Sequence, residues 1–361
     1  MKSLLGVLIA ALMAVTVAVA PASAGDTEDV TINVMSQNMY IGADLSLVLN
    51  GSATPAEIFD TVKKSDIGGR SFQMAETIKE NQPDLVGLQE VTLIEVLDAD
   101  DNVLQVIDYL EILMGSLDIL GESYAVSSFV ENADVKLPIA PGIFVRVVDR
   151  DVIIHKTGTA VSNPHGAPFS TNFRFPLGGE WIQFTRGFTA VDATFGGTTF
   201  RFVNTHLEVE GIPCVTPGGL VICQNAQATE LIDTLYTEGK PVILVGDFNS
   251  APGEVAYQTV VDRGYKDTWN SDTETGFTCC QPELLNNPDS ELSRRIDHIF
   301  TRRRAIKVNT AITTVLSDED DSKTPPPGEL WSSDHGAPIA DLGLTIKTNV
   351  KPGDEFEAGD D

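Results

Sequence analysis

The 361 residues carry 52 acidic against 24 basic side chains, a formal net charge of -28, with 42% hydrophobic and 7% aromatic content. A surface this acidic repels polyanions at long range and argues against a tight nonspecific grip on DNA or RNA, although bound cations reverse the sign locally and leave phosphate substrates open. The apolar fraction is that of an ordinary globular protein with a large core, and the length fits one large domain or two ordinary ones.

Lys2, an almost wholly apolar run over 4–20, and then Pro21, Ala22, Ser23 and Ala24 have the layout of a signal peptide with an A-x-A cleavage site. Cleavage after Ala24 is expected; the rival, an uncleaved anchor, is disfavoured by Pro21 and the small residues that follow it. No Cys stands beside the cleavage site, against a lipoprotein, and no later stretch is long and apolar enough to span a membrane. Residues 1–24 are therefore read as a signal peptide, 25–348 as one domain without repeat or linker, and 349–361 as an acidic disordered tail. The mature chain is expected to be secreted and soluble.

Residues 31–35 read as a first strand ending in Ser36, Gln37 and Asn38; 39–49 is mixed and 51–55 a loop. A helix is predicted from a cap at Ser71 to Asn81, stopped by Pro83, with Phe72, Ala75 and Ile78 three apart. Residues 84–91, DLVGLQEV, form a second buried strand. A carboxylate at its end costs free energy unless paired, so Glu90 has a cation partner or lies at the solvent rim. The period of Val103, Val106, Ile107, Leu110, Leu113 and Leu117 predicts one core helix over 103–120. Residues 124–130, 143–148 and 151–155 read as a meander hinged at Asp149 and Arg150. The Pro-, Gly-, Phe- and Asn-rich stretch 162–179 reads as a long loop at a substrate rim, in which His165 is taken as idle.

Residues 187–195 and 199–205 make a hairpin through Gly196 and Gly197 that ends NTHLE, placing Asn204 and His206 on one side. After a helix over 224–235 comes VILVGDFNS, 242–250, a strand buried on both faces that ends at chemistry. Gly246 lets the chain leave the sheet, and Asp247 and Asn249 offer an acceptor and an amide donor. An Asx turn closing the strand is the bland alternative. A short helix over 253–261, an irregular stretch 263–287, strands over 294–302 and 305–315, an acidic loop 317–330, a polar elbow 331–335 and a closing strand 338–346 complete the chain. Arg294, Arg295, Arg302, Arg303 and Arg304 form a basic cluster that either binds phosphate or is a solvated strand edge. His155 and His298, within strands, are read as core or surface residues.

Four cysteines in an exported chain allow three pairings. Cys214 and Cys223 bracket a short Pro/Gly loop and are expected to be bridged; a bond between the neighbours Cys279 and Cys280 is expected to be strained and less natural. A zinc site built from the four is a weak reading, for want of a CxxC spacing and of a nearby His in sequence.

Strand after strand thus ends in a group that chemistry uses: Asn38, Glu90, Asn204 with His206, Asp247 with Asn249, Asp297, and Asp334 with His335. In this order, QN, QE, NTHL, GDFN, IDHIF and SDH, the sequence resembles the endonuclease/exonuclease/phosphatase superfamily, the DNase I-like fold, over essentially the whole mature chain. The resemblance implies a four-layer α/β sandwich of two mixed β-sheets flanked by helices, and a metal-dependent phosphoesterase. It implies Glu90 as main ligand of Mg²⁺ (or Mn²⁺ or Ca²⁺), with Asn38 beside it and Asp334 near that cation or a second one. His335 backed by Asp297 would act at the phosphate, Asp247 would orient or deprotonate water, Asn249 and His206 would hold phosphoryl oxygens, and Asn204 would support His206. His206 is the mark of branches that cleave very different phosphates, so the implied substrate is a phosphate ester of nucleic acid or of a phospholipid head group. No stable protein partner is implied. The alternative from another class is a non-catalytic secreted binding protein on the same fold.

Overall fold

The computed structural model describes residues 27–177, 180–271, 275–302, 306–316, 323–324 and 329–347. The expected signal peptide, the acidic tail, most of the acidic loop 317–330, and Arg303 and Arg304 lie outside the described residues.

In chain order, β1 (Thr27–Asn38) leads through α1 (Ser46–Leu49), α2 (Pro55–Lys64) and α3 (Ile67–Asn81) to β2 (Leu85–Gln89), β3 (Leu93–Asp98), β4 (Val103–Asp108) and α4 (Tyr109–Ile119). Next come β5 (Tyr124–Ala140), β6 (Ile143–Lys156), β7 (Ala160–Pro168), β8 (Phe173–Leu177), β9 (Glu180–Phe184), β10 (Gly187–Phe195), β11 (Thr198–His206), β12 (Pro213–Thr216) and β13 (Gly219–Ile222). The last part holds α5 (Cys223–Leu235), β14 (Val242–Asp247), α6 (Val255–Asp262), β15 (Tyr265–Asp267), β16 (Asp297–Arg302), β17 (Ile306–Leu316) and β18 (Ala337–Lys347).

Two sheets carry the fold. The first has the order β17-β18-β1-β2-β6-β3-β4, with β5 also on β6; the second is β15-β16-β14-β11-β10-β7. Both are mixed, because β1 and β2, and β11 and β14, are parallel neighbours while the other pairs are antiparallel. Between the sheets lies an apolar layer that includes Ile32, Val34, Leu85, Ile153, Phe200, Phe202, Ile243 and Val245. Met74, Ile78, Tyr109 and Leu113 of α3 and α4 cover the outer face of the first sheet, and Leu231, Ile232, Ala256 and Val260 of α5 and α6 that of the second. This is the four-layer sandwich. Val242 to Val245 are fully buried, facing the inter-sheet layer and the helices in turn, which is why that strand reads as continuously apolar. At Gly87 the sheets approach so closely that a Cβ would lie 2.8 Å from the Asn204 side chain.

Several expectations from the sequence are corrected. The helix over 103–120 is an edge strand followed by a helix: Asp108 leaves the helical path and accepts from the N–H groups of Leu110 and Glu111, so α4 starts after it. The loop 162–179 is largely β7 and β8; Pro164 and Pro168 fit because β7 is an outermost strand of its sheet. The expected hinge at Asp149 and Arg150 lies inside one continuous strand, β6. α3 is capped by Asp66, whose carboxylate accepts from Gly69, and not by Ser71, which is buried within it. α2 begins at the end of the expected loop 51–55 and runs through residues to which the sequence reading assigns no element, although Thr54 and Glu57 form a full capping box around Pro55. The second-sheet hairpin at Gly196 and Gly197, and α5, fall as the sequence reading has them.

Candidate active site

Strand register builds one wall of the site. Parallel pairing sets His206 of β11 opposite Asp247 of β14, and antiparallel pairing sets Asp247 opposite Asp297 of β16. Three chemistry-bearing residues therefore form a row across neighbouring strands. Only glycine serves at position 246, where φ is +147° and a Cβ would overlap the Thr205 carbonyl. Past Asp247 the chain turns, with Asp247 Oδ1 accepting from the Asn249 N–H at 2.8 Å and Asn249 at φ 49°. The Asx turn and the functional assignment are thus the same structure: the turn aims the Asn249 amide back at Leu207 O (3.0 Å), 3.3 Å from His206 Nε2.

The facing wall comes from the first sheet and the elbow before β18. Asn38, at the end of β1, directs Nδ2 to Glu90 Oε1 (3.3 Å) and to Asp247 Oδ2 (3.1 Å), joining the two sheets across the site. Glu90 Oε2 accepts from the Ile41 N–H at 2.7 Å. Ser333 Oγ donates to Asn38 O (2.7 Å), which holds the elbow, and the His335 N–H donates back to Ser333 Oγ (3.1 Å). His335 then places Nδ1 2.8 Å from Asp297 Oδ2 and Nε2 3.8 Å from Asp247 Oδ2.

The two imidazoles are driven in opposite directions. Burial favours neutral His335, but the carboxylates of Asp297, Asp334 and Asp247 outweigh it and raise its pKa well above the usual value. His206 is pulled well below by burial first and then by Arg186 and His335. Arg186 Nη1 lies 2.9 Å from His206 Nδ1, and a guanidinium has no acceptor, so Nδ1 accepts and the proton sits on Nε2, facing Asp247 Oδ2 at 3.4 Å. His206 is a neutral donor and His335 a cationic one. Burial, with Asp297 adding, lifts Asp247 to about 7, and burial with the Glu90 charge lifts Asp334 to about 7 against the pull of His335.

Glu90 and Asp334 offer carboxylate oxygens that repel one another, a donor set that fits a hard divalent cation, while Asn38 beside them turns Nδ2 to Glu90 and accepts from the Tyr40 N–H (2.9 Å) through Oδ1. The ligand-capable atoms of Asp247, Asp297 and His335 also lie within 4.8 Å of one another. There the facing atoms of Asp297 and His335 are already spent on their own hydrogen bond, which leaves the Glu90 side as the better cradle.

Eight of the nine site residues read from the sequence come together. Asn204 does not: it is fully buried between the sheets, donating to Leu88 O (2.8 Å) and Val152 O (3.1 Å) and accepting from Gln89 Nε2 (2.6 Å). All its polar atoms are engaged there, so it neither faces substrate nor supports His206, a role that falls to Arg186. Arg186 and Arg70 were missed. Arg70, fully buried, donates to Met39 O (2.7 Å), Tyr40 O (3.1 Å), Ser65 O (2.8 Å) and Ser332 O (3.1 Å), binding the loop after Asn38 to the elbow. Lone arginines on a helix and before a strand look like surface charges, and no local signal marks them.

The basic cluster is spent on structure where it is described: Arg294 pairs with Glu254 (2.8 Å), Arg295 with Asp267 (2.7 Å), and Arg302 donates to Leu235 O (2.6 Å). Cys214 and Cys223 are bridged as expected. Cys279 and Cys280 are bridged to each other, against expectation, and the histidine that sequence distance hid is His335, 3.9 Å from Cys280 Sγ.

The profile of the Endonuclease/Exonuclease/phosphatase family matches residues 64–335, from α2 to His335 itself. The chain belongs to this family. Its members are divalent-metal-dependent phosphoesterases, and the chain is a phosphoric-ester hydrolase of that kind. No curated protein sequence matches the chain. Among solved structures, the endonuclease/exonuclease/phosphatase family protein from Leptotrichia buccalis C-1013-b is similar at 16% identity and a TM-score of 0.52, over 86% of this chain and 99% of that one. The family protein from Bacteroides thetaiotaomicron gives 17% and 0.51 over 88% and 99%, and that from Beutenbergia cavernae DSM 12333 gives 18% and 0.52 over 87% and 72%. At such identities the likeness is one of fold.

Proposed function

We propose that the protein is an exported, Mg²⁺-dependent phosphodiesterase acting on nucleic acid or on a phospholipid head group. The observation that carries the reading is the placement of His335 Nε2 3.8 Å from Asp247 Oδ2, with Asp297 behind the imidazole at 2.8 Å. In an in-line displacement the attacking and leaving oxygens stand on opposite faces of phosphorus. A base and a group serving the leaving oxygen are then farther apart than 3.8 Å, so Asp247 and His335 work on the same face. Asp247 takes the proton of the attacking water while the His335 imidazolium donates to a phosphoryl oxygen. His206 through Nε2–H, and Asn249 through its amide, hold the remaining oxygens, and Asn38 keeps Asp247 aimed. Mg²⁺, or Mn²⁺ or Ca²⁺, held by Glu90 and Asp334 with Asn38 beside them would supply neutralisation of charge on the phosphoryl group.

Export is supported by the leader-like residues 1–24 and by two disulfides, which persist in oxidising compartments. Among the described residues no helix is long and apolar enough to cross a membrane. The test is a panel of DNA, RNA, sphingomyelin, phosphatidylcholine and bis-p-nitrophenyl phosphate, with Mg²⁺ and with EDTA. Hydrolysis of at least one, abolished by EDTA and restored by Mg²⁺, is expected; inertness towards all would favour the non-catalytic binding protein.

A further inference from the structure

The segment around the adjacent cysteines is stitched to both arms of the Asp297–His335 pair. Thr278 Oγ1 accepts from the N–H groups of Ile296 (3.0 Å) and Asp297 (3.1 Å), and Thr278 O accepts from the Gly336 N–H (2.9 Å). Cys279 and Arg294 exchange backbone bonds of 2.9 Å, and the Gln281 N–H donates to Asp334 O at 2.8 Å. This stitching brings Cys279 Sγ, Cys280 Sγ and a His335 ring nitrogen within 4.8 Å of one another, with Cys280 exposed and the other two buried.

Two separations fix what such a group can hold. His335 Nε2 is 3.9 Å from Cys280 Sγ and 3.8 Å from Asp247 Oδ2. Ligands of a tetrahedral zinc ion, at the usual ~2.3 Å for sulfur and ~2.0–2.1 Å for nitrogen or oxygen, lie about 3.4–3.6 Å apart. Contraction by roughly a few tenths of an ångström brings His335 Nε2 and Cys280 Sγ to that spacing, whereas Asp247 groups with Asp297 and His335 and not with the two sulfurs. The Asp297 carboxylate on Nδ1 holds the ring with Nε2 directed at Cys280 Sγ, the support that metal-binding histidines generally have.

We propose that reduction of the Cys279–Cys280 bond opens a soft-metal site in which Cys279 Sγ, Cys280 Sγ and His335 Nε2 bind Zn²⁺ or another thiophilic divalent cation, with water in the fourth position. The donors differ in kind from the oxygens at Glu90, so the two sites take different metals. In the bonded form the sulfurs have no thiolate to give and the site is closed. A phosphine opens it: phosphorus attacks one sulfur, the S–S bond breaks, and water converts the phosphonium into phosphine oxide, leaving two thiols. Zn²⁺ then displaces the two thiol protons and the Nε2 proton of His335. Occupancy removes His335 from phosphate chemistry, so zinc inhibits the reduced enzyme. The inhibition rests on the function proposed above; the binding does not.

The experiment titrates metal-free, full-length protein with Co²⁺, oxidised and after phosphine reduction, followed by displacement with Zn²⁺. The reduced protein is expected to show thiolate charge-transfer and tetrahedral ligand-field bands that saturate at one Co²⁺ per chain beyond any held by the Glu90 oxygens, the oxidised protein neither band, and H335A to develop them at least about tenfold more weakly. C280S, checked for folding by circular dichroism, is expected to lose the charge-transfer band or reduce it by half. Absence of the bands in the reduced wild type overturns the proposal. So does an unchanged affinity in H335A, because the reduced Cys214 and Cys223 would then be the ligands. With a substrate in hand, stoichiometric Zn²⁺ should silence the reduced enzyme while the oxidised enzyme needs at least about tenfold more. Zinc bound to an enzyme that stays active overturns the inhibitory role, whereas zinc bound by a protein inert to every phosphodiester supports the site and overturns the phosphodiesterase reading.

Discussion

The two walls of the site are built by different means. On the wall of the second sheet, His206, Asp247 and Asp297 are neighbours in strand register, each fixed by the ladder itself. The wall of the first sheet sits at and just beyond strand ends: Asn38 closes β1, while Glu90 and Asp334 lie in the loops that follow or precede strands, with Arg70 behind them and Tyr40 and Glu90 at positive φ of 58° and 55°. The first wall gathers the like charges of Glu90 and Asp334, the Glu90 charge helping to raise Asp334, and its elbow sends His335 across to the second wall. Once His335 reaches between Asp247 and Asp297, the second alternates donors and acceptors, so these groups settle one another's protonation. Repelling oxygens suit a cation and a self-compensating row suits proton transfer, which assigns metal holding to one wall and acid-base work to the other.

The largest effect should come from removing the proton-handling group. His335→Ala leaves the oxygens of the first wall intact, so the cation should bind almost normally while turnover falls on the order of a hundredfold or more. Rate against Mg²⁺ concentration is the measurement, and recovery of the rate at high Mg²⁺ would erase the distinction between the walls. Asn204 tests what joins them. Asn204→Ala removes three buried hydrogen bonds between the sheets, two to carbonyls and one from the Gln89 amide, and should cost about 3 kcal/mol in urea denaturation. A loss below about 0.5 kcal/mol would mean that water takes its place.

The sequence betrays the second wall better than the first. NTHLE and GDFNS each carry their polar residues within the strand period or one turn of it, so Asp247 and His206 are legible from alternation alone. Asn204 obeys the same alternation and was misjudged for that reason: period shows which face a side chain takes, and not that the face at that depth is closed by the other sheet. Glu90 and Asp334 are legible only through motif order, because loops set their positions. Arg70, 264 residues before Asp334, and Arg186, whose partner His206 lies across a hairpin, give no local sign. The helix expected over 103–120 failed because Leu104 to Ile107 fit an exposed edge strand as well as a helix, and one Asp108 cap decides between them.

Behind the second wall, Asp267 offers a pH-dependent check on how far that side relies on internal pairing. Burial by itself would raise its pKa, but His298 and Arg295 win and hold it at about 2. A carboxyl whose folded pKa lies below its unfolded value gives stability above the unfolded pKa, lost as pH falls through the folded one. The window is therefore about pH 4 down to about pH 2, and the contribution about 2 kcal/mol. Asp267→Asn should be less stable than wild type by about that amount at pH 6, with the gap narrowing as the solution is acidified. A gap independent of pH would show that the carboxylate charge is not what is being lost.

The smallest effect belongs to Glu90 and separates the walls most cleanly. Glu90→Gln keeps the oxygen that accepts from Ile41 and removes the charge, so the loss should appear as weaker cation binding and not as a slower chemical step. The Mg²⁺ concentration for half-maximal rate should rise about tenfold, and the rate at saturating Mg²⁺ should return to within a few-fold of wild type. Some direct cost is built in, since the new amide faces the Asn38 Nδ2 group across 3.3 Å, donor against donor. Glu90→Asp controls for that: it restores the charge on a shorter stem and should lie between the two. If Glu90→Gln instead lowers the saturated rate as far as His335→Ala does, with half-saturation unmoved, the charge of Glu90 acts on the reacting phosphate itself and the division of labour between the walls fails.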